Sequence, residues 1–135
     1  MDILWFDSLG SSSLNQWDPR TMIRRIKQYQ PDILINNRMN GTRGGNKGPL
    51  AEDLKGDFLT PECKLGPFND KTPWESCMTV ADIPGTRWTG NWSYTSKAKV
   101  KPVEESIKFL INNTVKDGNL LYNIGPTPLG TFVPE

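Results

Sequence analysis

Asp7, Arg38 and Asn123 each close an apolar run. Ile3-Leu4-Trp5-Phe6 ends in Asp7. Ile33-Leu34-Ile35 passes through Asn36-Asn37 to Arg38, and Leu120-Leu121-Tyr122 ends at Asn123. The C-terminal ends of buried parallel strands are where α/β enzymes hold their reacting groups. A second carboxylate, Glu62, lies in a long polar segment. Two carboxylates on either side of a sugar can cleave its glycosidic bond, one as nucleophile and one as acid/base. Each also has a plainer reading. An aspartate after a strand serves in turns and caps, and a loop glutamate is an ordinary solvated side chain.

The five tryptophans bear on the choice. An indole offers a flat apolar face with one donor, which suits the C–H face of a pyranose. Trp74, Trp88 and Trp92 fall in or beside loops, whereas Trp5 lies inside a strand and reads by pattern as a core residue. Gly41, Gly44, Gly45 and Gly48 resemble a phosphate loop only superficially. They lack the Gly-Lys-Ser/Thr ending and lead from no strand into a helix. The chain has no histidine, which removes His-based triads and most catalytic zinc sites from it. No metal or cofactor is expected. Cys63 and Cys77 read as packing residues, since two cysteines make no disulfide framework.

The positioning elements follow from periodicity. Asp18-Pro19 opens a helix carrying Met22, Ile23, Ile26 and Tyr29 on one face, and Pro31 ends it. Strand, helix and second strand (32–38) make a βαβ unit, which needs a parallel sheet. Residues 40–73 read as one long loop, 75–80 as a third strand and 83–96 as a second loop. Pro102 starts another helix, with Val103, Ile107, Leu110, Ile111 and Thr114 as its inner stripe and Gly118 as its cap. Residues 119–124 form a fourth strand. The expected fold is α/β: about four strands of a (β/α)8 TIM-like barrel, incomplete because a whole barrel takes roughly 250 residues. Residues 1–135 then form part of one catalytic domain with no second domain. A small doubly wound α/β domain is the alternative. Net charge is +1, and the densest basic cluster, Lys97, Lys99 and Lys101, reads as a solvated face. Neither a nucleic-acid partner nor a membrane span is expected. Met1 is followed by Asp2 with no basic leader.

Five segments, 2–7, 31–38, 56–62, 74–79 and 118–126, then acquire a joint meaning. Asp-Ile-Leu-Trp-Phe-Asp, Pro-Asp-Ile-Leu-Ile-Asn-Asn-Arg, Gly-Asp-Phe-Leu-Thr-Pro-Glu, Trp-Glu-Ser-Cys-Met-Thr and Gly-Asn-Leu-Leu-Tyr-Asn-Ile-Gly-Pro occur in this order. Together they resemble the C-terminal half of the catalytic barrel of α-L-fucosidases of glycoside hydrolase family 29. The resemblance implies a retaining mechanism with Asp7 as nucleophile and Glu62 as acid/base. Glu75 is the competing acid/base and otherwise a substrate-binding residue. Arg38 would hydrogen-bond the sugar, Trp5 would line the fucose pocket, and Trp92 would stand near the sugar's methyl group. The implied substrate is a fucosylated oligosaccharide or glycoconjugate. The implied partner is the missing N-terminal half of the barrel, whose histidines this chain lacks. A secreted, periplasmic or lysosomal parent is implied, and the isolated chain is expected to turn over little. Two other readings stand beside this one: a non-catalytic sugar-binding or split-gene assembly piece, and a barrel glycosidase for another sugar.

Overall fold

Proline and its preceding aspartate set where the first helix begins. In the computed structural model, which describes residues 2–7, 18–40, 52–68, 71–84 and 92–132, Pro19 takes the first turn of α1 (Pro19–Tyr29) and Asp18 caps it, accepting from the Thr21 N–H at 3.1 Å. The chain divides into two compact units, Met1–Pro61 with Asp70–Trp74, and Glu62–Asn69 with Glu75–Glu135. The fold class is α/β, with parallel strand pairs in each.

In the first unit β1 (Ile3–Leu4) pairs in parallel with β2 (Leu34–Ile35), Ile3 facing Leu34. Ile33, Ile35 and Met39 form the core, and Met22, Ile23 and Ile26 of α1 pack against it. Tyr29, expected on the same helical face, is 86% exposed. It is the last residue of the helix, past the core that the other three cover. Both strands are shorter than their apolar runs. After Ile35 the chain turns into a 3-10 helix (Asn37–Asn40), so Arg38 sits on a helical turn rather than in a strand.

The stretch read as one loop over 40–73 is built more tightly where it is described. A 3-10 turn (Glu52–Leu54) is followed by two parallel bridges, Asn36 to Phe58 and Leu59 to Trp74. Gly56 permits this path. It has a φ of +72°, and a Cβ there would stand 2.6 Å from the backbone carbonyl of Asn36. Asp57 then accepts from the Ile35 N–H at 2.7 Å and from Lys27 Nζ at 3.0 Å. Sequence periodicity misses the segment because it makes single bridges instead of a ladder. Trp74, expected near a loop surface, is only 1% exposed and is a core residue of this unit.

In the second unit β3 (Glu75–Thr79) and β6 (Asn119–Asn123) pair in parallel over five residues, Glu75 opposite Asn119 and Thr79 opposite Asn123. Parallel strands need a crossover, and α2 (Val103–Thr114) precedes β6 as the covering helix. A short antiparallel pair that alternation did not reveal, β4 (Ala81–Asp82) with β5 (Lys99–Val100), lies between them in sequence. It recasts the basic cluster. The Lys101 side chain is only 9% exposed and bonds Asp82 Oδ1 at 2.7 Å and the Thr79 carbonyl at 3.0 Å. The stripe assigned to the inner face of α2 is also overturned. Val103, Ile107, Leu110 and Ile111 are each more than half exposed, while Asn113 is buried and Ser106 bonds Tyr122 of β6 at 2.8 Å. The helix ends at Thr114 with Val115 as its C-cap, and the left-handed residue beyond it is Asp117 at φ +60°, not Gly118, whose N–H reaches back to the Asn113 carbonyl at 2.9 Å. Cys77 is buried and Cys63 half-buried, with no disulfide between them.

Two outcomes follow. Gly56→Ala should lower stability by about 1–3 kcal/mol from the backbone conformation alone, with the overlap at Asn36 adding to it, read as a lower urea midpoint. The hydrogen bonds from Thr21, side-chain contribution first, hold Asp18 below the ordinary carboxylate range. A group whose folded value is depressed stabilises the fold above its unfolded value, near 3.9, and that stabilisation fades as pH falls through the lower folded value. Between pH 5 and 2 the wild type should therefore lose more stability than Asp18→Asn, which keeps the acceptor without the charge. Equal pH slopes would remove Asp18 from the acid response.

Candidate active site

Asn36, Asn37 and Arg38 follow β2 as three consecutive polar residues, all of them buried. Polar groups withdrawn from water need partners, and each of the three finds its own. Asn36 uses its side-chain amide on the backbone of Phe6. Its Oδ1 accepts from the Phe6 N–H at 3.1 Å and its Nδ2 donates to the Phe6 carbonyl at 2.8 Å. The side chain thus extends the β1–β2 pairing past the end of the ladder and fixes the chain immediately before Asp7.

Asn37 Oδ1 accepts twice from Thr60, from its backbone N–H at 3.1 Å and from its hydroxyl at 2.9 Å. Arg38 lies across the same threonine. Its Nε donates to Thr60 Oγ1 at 2.8 Å and one terminal nitrogen reaches the Thr60 carbonyl at 3.4 Å. The other terminal nitrogen donates to Asp7 Oδ1 at 2.9 Å. The guanidinium carbon stands 4.5 Å from the centroid of the Trp5 ring, a cation–π contact worth roughly 0.5–2 kcal/mol. Trp5 is therefore tied to the arginine and does not act only as core packing.

The burial of this pair is one-sided. The Arg38 side chain is 6% exposed and that of Asp7 is 60% exposed. A guanidinium fixed in the protein holds one carboxylate oxygen while the carboxylate itself faces solvent. Chemically this is an oriented, accessible anion with its counter-charge built in, an arrangement that suits a nucleophile or an electrostatic stabiliser.

The other candidates belong to the second unit. Glu62 is half-buried and bridges Cys77 of β3 in parallel, with the Cys63 N–H donating to the Cys77 carbonyl at 3.0 Å. Glu62 is thus held in extended backbone beside a strand and is not part of a solvated loop. Glu75 begins β3 and is half-buried. Trp92 is 39% exposed, and its carbonyl accepts from Asn123 Nδ2 at 3.0 Å, so the amide that closes β6 anchors the tryptophan segment. Beside it Gly125 passes the backbone of Ser93 and Tyr94, where a Cβ would stand about 3.1 Å away. Val80, Ala81, Tyr94, Val100, Ile124 and Phe132 help enclose an apolar cavity of about 110 Å³. Trp88 and the four glycines of 41–48 lie outside the described residues. Among the described residues no three His, Cys, Asp or Glu gather into a metal-binding group.

Sequence reasoning gave no role to Asn36, Asn37 or Thr60. The available signal was the pair of asparagines ending an apolar run, where a buried amide must find a backbone or side-chain partner. Replacing Asn36 with Ala removes both bonds to Phe6 and should cost about 2–3 kcal/mol, measured by urea unfolding. A change below about 0.5 kcal/mol would show that Phe6 is held by other means.

The sequence matches the alpha-L-fucosidase family over residues 1–135. The plasma alpha-L-fucosidase of Homo sapiens is 27% identical over 138 residues, covering 97% of this chain and 26% of that protein. Among solved structures, alpha-L-fucosidase isoenzyme 1 from Paenibacillus thiaminolyticus superposes with a TM-score of 0.74 at 30% identity, over 98% of this chain and 31% of that one. The GH29 alpha-L-fucosidase from Bacteroides thetaiotaomicron gives 0.72 at 25% identity, again over 98% and 31%. The chain spans about a quarter to a third of the length of these relatives. On these matches, and on the family segments that carry Asp7, Arg38 and Glu62, this chain belongs to the alpha-L-fucosidase family.

Proposed function

We propose that the polypeptide carrying these residues hydrolyses terminal α-L-fucosides of oligosaccharides or glycoconjugates with retention of configuration, and that residues 1–135 contribute part of a (β/α)8 catalytic barrel completed by an N-terminal half. The observation that carries the reading is the Arg38–Asp7 ion pair under Trp5, with the arginine buried and the carboxylate exposed. Family membership supplies the sugar.

The chemistry is a double displacement. An Asp7 oxygen attacks the anomeric carbon as Glu62 gives its proton to the glycosidic oxygen, and the aglycone leaves as an alcohol. Glu62, now a carboxylate, takes a proton from water. That water attacks the same carbon, and the bond to Asp7 breaks, releasing fucose. Arg38 stabilises the Asp7 carboxylate before attack and after release. Trp5 and Trp92 offer indole faces to the sugar. Glu75 is the alternative proton donor, and Glu62→Gln beside Glu75→Gln on an aryl fucoside with a poor leaving group separates them.

The exposed apolar stripe Val103, Ile107, Leu110 and Ile111 of α2 favours a second reading. In it the chain by itself is an assembly piece that gains activity only with the rest of the barrel.

In a protein of the relatives' length, Asp7→Ala should lower kcat on 4-nitrophenyl α-L-fucoside by about a thousandfold or more, the scale of losing a covalent nucleophile. Added azide should restore turnover by occupying the vacated side of the anomeric carbon. An unchanged rate in Asp7→Ala removes Asp7 from the mechanism, and a wild type inactive on the fucoside removes the proposed substrate.

A further inference from the structure

We propose that Thr60 is a positioning residue for Asp7, acting through Arg38; its catalytic consequence rests on the reading of Asp7 as nucleophile. Thr60 is fully buried, so water cannot satisfy its hydroxyl. A hydroxyl has one proton to give and lone pairs to receive. The direction of each bond follows from its neighbours. A backbone N–H can only donate, so the Asn37 side-chain atom facing the Thr60 N–H is the amide oxygen. That same oxygen takes the Thr60 hydroxyl proton. A lone pair of Oγ1 is then turned toward Arg38 Nε, which has only a proton to offer.

The result is a hydrogen-bonded chain that diverges from Arg38: one terminal nitrogen donates to Asp7, Nε donates to Thr60, and Thr60 donates in turn to Asn37. Rotation of the guanidinium plane is blocked at Nε by Thr60 and over its face by Trp5. With the plane fixed, one terminal nitrogen is aimed at Asp7 Oδ1 at 2.9 Å. Remove the hydroxyl and Nε loses its acceptor in a place water does not reach. The guanidinium then turns to find another, and its aim at Asp7 is lost. Serine keeps the oxygen and valine keeps the shape without it, so the two substitutions separate the hydroxyl from the packing.

The test has two arms. In this chain, labelled with nitrogen-15, the Arg38 Nε–H should give a slowly exchanging signal. Thr60→Val should lose that protection and Thr60→Ser should keep it. In the protein of the relatives' length, Thr60→Val should lower kcat on the aryl fucoside by about tenfold or more with KM changed far less, and Thr60→Ser should restore most of it. An unprotected Nε–H in the wild type, or one equally protected in a folded Thr60→Val, overturns the proposal, as does a serine variant no better than valine. If Thr60→Val does not fold, Thr60→Ala is read by the same signals. The first arm needs no turnover, so an inactive wild type would sink the fucosidase reading while the Arg38 signal still decides the role of Thr60.

Discussion

A guanidinium withdrawn from water must be satisfied around its edge, and in this molecule Arg38 dictates what surrounds it. Burial of its charge has to be met by partners. Thr60, Asp7 and the face of Trp5 supply them, and they come from two stretches of sequence, 5–7 and the segment around 60, that are both remote from Arg38. Holding the arginine therefore requires the end of β1, the turn after β2 and the segment after Gly56 to converge. The features that make the first unit idiosyncratic follow from that requirement.

The convergence is produced by backbone-directed side chains more than by sheet. The β1–β2 ladder is only two residues long, too short to fix Asp7 by itself. Asn36 continues the pairing with its amide, imitating a peptide group and binding both polar atoms of Phe6. Asp57 performs the corresponding task on the other side of β2, receiving the Ile35 N–H while Lys27 balances its charge. Gly56 allows this approach because the Asn36 backbone occupies the space that a Cβ would need. Polar side chains standing in for backbone groups are directional. That makes them better than apolar packing at setting a carboxylate to within a fraction of an ångström.

The second unit uses regular secondary structure for a similar purpose. Its β3–β6 ladder is five residues long, and the amide ending β6 holds the Trp92 segment while the backbone after β3 holds Lys101. Helix α2 meets β6 through Ser106, its buried Asn113 donates to the Phe109 carbonyl of the same helix, and its aliphatic stripe is uncovered in this chain. A stripe of that composition is stabilising only when another apolar surface covers it.

The sequence by itself determined the α/β class, the start and end of α1, the parallel β3 and β6 strands, and the presence of chemistry-bearing residues at strand ends. These are local matters: capping, proline geometry and hydrophobic periodicity act over a few residues and leave a mark on the text. It also carried the ordered segments that identify the family. The tertiary structure decided the rest. Residues 52–61 cross the first unit through isolated bridges and a left-handed glycine, neither of which has a period. Trp74 proved to be core and the Lys101 ammonium bound to Asp82 and the Thr79 carbonyl, because burial and pairing depend on what arrives from elsewhere in the chain. The stripe of α2 was legible as amphipathic, but which face meets β6 was not. Above all, the link from Asp7 to Arg38 to Thr60 joins residues 31 and 22 positions apart. No spacing rule connects such positions, and only the need to satisfy a buried guanidinium brings them together.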